Sequence, residues 1–159
     1  MSAPARMLQI LGALAFALFA VSASAQQRPG YGTSVTVDQA KKIAAGVVAE
    51  CQSNKWNVAV AVVDTHGLLI YFERMEDTQT ASTKIAIMKA RAAATYRRPT
   101  RVFMEAINKG PATATLPGVV GSPGGVPIMV GGKVIGAVGV SGVTGDQDEQ
   151  CSKAGIAGM

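Results

Sequence analysis

Apolar residues recur at three- and four-residue spacing through Ala40, Ile43, Ala44, Val47, Val48 and Cys51, which places them on one stripe of a helix. Thr36 stands just ahead of that stripe and Gln39 three residues further on, the spacing of a reciprocal capping box, so the first helix is predicted to begin there. The period then changes. Asn57 to Val63 is an unbroken β-branched and alanine run, Asp64 to Gly67 is a turn with glycine at the left-handed position, and Leu68 to Phe72 returns as a second strand. A polar entry from Glu76 to Thr80 leads into a second helix, Ala81 to Arg97, with Ile85, Met88, Ala92 and Tyr96 on one side and a basic stripe of Lys84, Arg91 and Arg98 on another. Pro99 stops this helix, because it has no amide hydrogen and disfavours helical geometry in the residue before it. Thr100 can then cap a short third helix through Ile107.

Residues 109–125 carry Pro111, Pro117 and Pro123 among glycines and read as a long loop over the sheet. Beyond the Gly124-Gly125-Val126-Pro127 bend, Ile128 to Val130 is a strand, Gly131-Gly132 a tight hairpin link, and Lys133 to Val140 the returning strand. The loop through Gly142 and Gly145 then reaches Asp146, which with Glu149 three residues later is read as the capping box of a last helix. The expected structural loop residues are Gly124, Gly125, Pro127, Gly142 and Gly145. This order predicts an α+β fold, an antiparallel β-sheet of about five strands flanked by helices.

The N-terminus is different in kind. Arg6, an apolar run from Met7 to Val21 and then Ala23-Ser24-Ala25 form a secretory signal peptide over residues 1–25, cleaved before Gln26. A membrane span needs about 20 apolar residues, more than this run supplies. Residues 26–34 read as a flexible leader and 35–159 as one domain, periplasmic or secreted, with no membrane association after cleavage. The chain of 159 residues has a formal charge of +5, and seven of its 15 Lys and Arg fall between residues 84 and 109 beside one acid, Glu105. The positive charge is local. No nucleic-acid-binding module accompanies it.

Several stretches, in this order, resemble a known family: VAVAVVDTHGLLIYFERMED, KARAAATYRRPT, GGVPI, VIGAVGVSG and TGDQDEQ. They are similar to the hairpin, central helix and C-terminal signature of the GlcG/HbpS family, also called the haem-degrading domain family and related to the PduO C-terminal domain. The likeness runs from about Val35 to the C-terminus. It implies a GlcG/HbpS-like sandwich, association with haem or a related tetrapyrrole as cofactor or ligand, and assembly into a homo-oligomer. Because its members are linked also to glycolate and diol operons, small hydroxy acids are a second ligand class.

A tetrapyrrole site needs an apolar slot, cations for propionates and an axial donor. Candidate residues are Tyr96, Arg97, Arg98, Arg101, Met75 and His66. Each has a plainer reading: the arginines as a solvated helix end, Tyr96 as core packing, and His66 as an exposed turn residue. His66 is the only histidine, which excludes a multi-histidine metal site within one subunit. Asp146, Asp148 and Glu149 are assigned to the helix start before any cation. Cys51 and Cys151 form a disulfide if, as the family fold implies, both helices lie on one face of the sheet; otherwise they are two buried or redox-active thiols. No Ser-His-Asp, Cys-His or HExxH set can be assembled. The expectation is therefore an exported tetrapyrrole-binding protein acting as carrier, sensor accessory or haem-degradation factor. The alternatives are a hydroxy-acid or diol protein and an oligomeric scaffold.

Overall fold

The computed structural model describes residues 28–159, so the expected signal peptide lies outside the described residues. The elements are α1 (Val37–Ser53), β1 (Ala59–Val63), β2 (Leu69–Arg74), α2 (Ser82–Tyr96), α3 (Arg101–Lys109), a 3-10 turn (Pro111–Thr115), β3 (Gly125–Val130), β4 (Lys133–Ser141) and α4 (Gly145–Ala157). The sheet runs β2-β1-β4-β3 with every neighbour antiparallel. It has four strands among the described residues, one fewer than expected. The proline- and glycine-rich stretch ahead of β3 forms a 3-10 turn and coil, where each proline removes a donor a strand would need.

Burial explains why β1 is apolar at every position. Val58, Val60 and Val62 join the core under α1 and α4, while Ala59, Ala61 and Val63 face α2 on the other side. The two faces differ in depth. Valines fill the α1 and α4 side, but the α2 side is alanine and glycine, and a Cβ on Gly139 would collide with the backbone of Ala86 and Ala90. That close approach overrides the expected orientation of α2. The helix buries Ala86, Lys89, Ala90, Ala93 and Ala94 and turns Met88 outward, 51% exposed, because only small side chains fit between helix and sheet.

The α1 capping box forms as its spacing predicts, Gln39 N–H to Thr36 Oγ1 at 3.2 Å and Thr36 N–H to Gln39 Oε1 at 2.9 Å. The α4 box forms two residues earlier than expected, between Thr144 and Gln147, so Asp146 and Glu149 are not its caps. Thr and Gln supply the same reciprocal bonds and leave the carboxylates for ion pairs. Thr100 does not cap α3 with its side chain; its buried hydroxyl accepts Gly125 N–H at 3.0 Å. Cys51 and Cys151 are joined across α1 and α4, both fully buried, with Cα atoms 5.8 Å apart.

The segment expected to be a flexible leader is fastened from Pro29 onward. The nine residues of β4 outrun β1, whose last paired residue Val63 faces Ala137. Tyr31 fills the vacated place by a parallel bridge to Val134, with Gly32 N–H to Val134 O at 2.8 Å and Val134 N–H to Gly30 O at 2.9 Å. Open sheet positions attract backbone.

Candidate functional site

α2 ends where Arg97 takes left-handed geometry, φ 55° and ψ 43°, a position usually given to glycine. The reversal sends Tyr96, Arg97 and Arg98 in different directions. Tyr96 donates its hydroxyl to Pro117 O at 2.7 Å and meets Phe103 edge-on, with ring centroids 5.1 Å apart. Arg98 lies over the Phe103 ring, and burial, with Arg28 adding like charge, pulls its pKa below the usual arginine value. Arg97 donates to Pro29 O at 3.0 Å and stacks 5.1 Å above the Tyr31 ring. Tyr31 in turn donates to the helix-end carbonyls of Ala94 and Thr95, at 3.1 and 3.0 Å. The tip of the N-terminal segment is pinned to α2.

Beside this pin lies an open concavity of about 420 Å³ lined by Tyr31, Gly32, Thr65, His66 and Thr95. The β1–β2 turn is held there because Asp64 Oδ1 accepts the His66 and Leu68 amides, both at 2.8 Å, and Arg91 Nε donates to Gly67 O at 3.0 Å. His66 is thus both an exposed turn residue and part of a pocket wall. Its Nδ1 lies 3.2 Å from Thr65 Oγ1, which lies 2.9 Å from Ser34 Oγ. If Nδ1 carries the proton and donates it to Thr65, Nε2 keeps its lone pair for an acceptor or a metal.

The six candidates do not converge. Arg101 is ion-paired on α4, Nη2 to Asp146 at 2.5 Å and Nε to Glu149 at 2.6 Å, and lines a separate concavity of about 280 Å³ with Met104 and Ser122. Met75 packs against the core under α1 and α4, across the sheet from α2. Tyr96 is engaged with Pro117. His66 lines the concavity with Tyr31 and Thr95, Arg97 reaches it only through its stack on Tyr31, and Arg98 follows at the helix end.

The family model for the haem-degrading protein HbpS-like matches residues 35–157. The chain belongs to the HbpS-like family. Protein GlcG of Escherichia coli is 44% identical over 112 residues, covering 69% of this chain and 84% of that protein. Among solved structures, a double mutant of Streptomyces reticuli HbpS superposes with a TM-score of 0.74 at 31% identity, covering 79% of this chain and 87% of that one. The PduOC:heme complex superposes with a TM-score of 0.74 at 25% identity, covering 80% and 96%.

One pair within this HbpS-like domain has no signature in the sequence. Lys89 and Asp148 are both 2% exposed and meet at 2.7 Å, and Lys89 also donates to Val140 O at 3.1 Å. Burial raises the Asp148 carboxyl above its ordinary value, outweighing the opposing pull of the Lys89 charge and the hydrogen bonds it accepts. Gly124, at φ 118°, makes room for the pair, since a Cβ there would stand 3.0 Å from Lys89 Nζ. Tyr31, Thr65, Arg91 and Thr95 were also missed as site residues. The basic stripe containing Arg91 was the one signal available for them.

Proposed function

We propose that this HbpS-like protein binds haem or a related tetrapyrrole in the concavity bordered by His66, Tyr31 and Thr95. The observation that carries the reading is His66, steadied at Nδ1 by Thr65 on the lip of a recess whose neighbouring charges are arginines. The residues fit such a ligand by donor chemistry: an imidazole for iron, a phenol ring for the macrocycle face, and Arg91 and Arg97 for propionates. An iron tetrapyrrole held there would supply redox and oxygen chemistry. The chain's own residues would bind and orient it, His66 by its Nε2 and the guanidiniums by charge-assisted hydrogen bonds. The heme complex of the structural neighbour PduOC supports the same ligand class. Action after export is supported by the leader composition and by the Cys51–Cys151 bond, of a kind that persists in oxidising compartments. Assembly into a homo-oligomer is supported by large apolar side chains left exposed, among them Leu68, Met88 and Val130, and light scattering of the mature protein tests it.

Titration of haemin into the mature protein tests the reading. A saturable, sharp Soret band that is lost in His66→Ala is expected. A broad, unsaturable spectrum, together with thermal stabilisation by glycolate, would transfer the site to small hydroxy acids.

A further inference from the structure

A second concavity, of about 440 Å³, lies on the other side of the N-terminal segment and is lined by Gly32, Ser34, Thr36, Gln39, Val130 and Lys133, among others. Gly32 belongs to both walls. Residues 30–33 are thus a partition between two open recesses rather than the edge of one. Its base is fixed, because Val35 is buried and donates to Ile135 O at 2.7 Å. Its tip is held by the Tyr31 hydroxyl, the Arg97 contacts and the two backbone bonds to Val134, while Tyr31 itself is 44% exposed. A segment that places no side chain in the core before Val35 and is held by a handful of hydrogen bonds sits at the low end of local stability.

Resting on the tetrapyrrole reading, we propose that the partition is a strap: it lifts from Val134, hinging at Ser34, and the two recesses become one trough running from His66 to Lys133. Each recess alone falls toward the small end of the range for ligand pockets, roughly 300–1,000 Å³, and the two together approach its top. Charge supports the same span. The two propionates of a haem leave one edge of the macrocycle, and with the strap lifted that edge would lie between the arginines beside the first recess and the Lys133 ammonium of the second. Lys133 becomes a specificity residue for the second carboxylate, and Tyr31 the latch.

Two variants of the mature chain test this, with haemin and its dimethyl ester as probes. Tyr31→Phe keeps the ring and removes both helix-end hydrogen bonds, so amide exchange at Gly32 and Val134 in the ligand-free protein is expected to speed up by about tenfold, with haemin association accelerated to match. Lys133→Gln is expected to weaken haemin by about tenfold and leave the ester unchanged. Unchanged association in Tyr31→Phe despite faster exchange overturns the gating role. Equal haemin affinity in Lys133→Gln overturns the shared trough. Faster exchange without saturable haemin binding in the wild type leaves the strap intact and defeats the tetrapyrrole reading instead, so the two failures are told apart. Exchange that stays the same in Tyr31→Phe rejects the latch directly.

Discussion

At the Val140 end of β4, Lys89, Arg101 and Lys153 each face a carboxylate, supplied by Asp148, Asp146 and Glu149 of α4. At the Val134 end, Arg91 and Arg97 meet backbone carbonyls, and Arg97 and Arg98 lie over aromatic rings. The first set is neutralised within the fold and ties three helices together. The second meets no carboxylate among the described residues, which leaves its positive charge to attract an anion. A census of arginines by sequence position groups Arg97, Arg98 and Arg101 together, yet the structure pairs Arg101 with two carboxylates and stacks Arg97 on Tyr31 in the recess wall. The partner of a charge, more than the charge itself, separates a structural site from a binding one.

The comparison is sharpest when one partner is removed at each end. Lys89→Met leaves Asp148 buried without its cation and is expected to cost about 3–5 kcal/mol in denaturant unfolding at neutral pH. The deficit should shrink on acidification, as Asp148 takes up a proton. Reduction of Cys51–Cys151, which frees a loop of sequence separation 100, is expected to cost about 2–5 kcal/mol, read as a lower denaturation midpoint in dithiothreitol. A loss under 1 kcal/mol would mean that the close packing of α1 on α4 suffices without the bond.

The pH profile follows from Asp148. Its folded pKa is raised, so between the ordinary carboxylate value near 4 and that raised value the folded chain holds a proton the unfolded chain has released. Its contribution is therefore greatest below that window and declines as pH rises through it. Asp148→Asn should flatten the decline, and a profile identical to wild type would contradict the assignment. At the other end, Arg97→Gly relieves left-handed strain while losing the Pro29 bond and the Tyr31 stack, for a net change of about 1 kcal/mol or less. Haemin affinity should nevertheless fall in this variant. His66→Ala should change stability least, within about 0.5 kcal/mol, as an exposed turn residue, while abolishing the Soret band.

Local patterns were legible because their physics is local. The α1 capping box needs only Thr36 and Gln39, and the Gly131-Gly132 hairpin only two residues able to take positive φ, 56° and 75° in the structure. The antiparallel α+β order followed from the alternation of these elements. Where two neighbouring patterns competed, as Thr144 and Gln147 did with Asp146 and Glu149, the preferences of the residues did not settle which would cap α4.

The sequence by itself determined the sequence of helices and strands, the turns between them and the likeness to the HbpS-like family. Only the tertiary structure decided which face α2 buries, because that face is set by how closely an alanine and glycine sheet lets the helix approach. It decided likewise that Lys89 is buried while Met88 is exposed, and that Arg101 is neutralised while Arg97 is not. And it brought Tyr31 beside His66 and Thr95, through a strand position that β1 leaves vacant and a sequence 35 residues distant cannot announce.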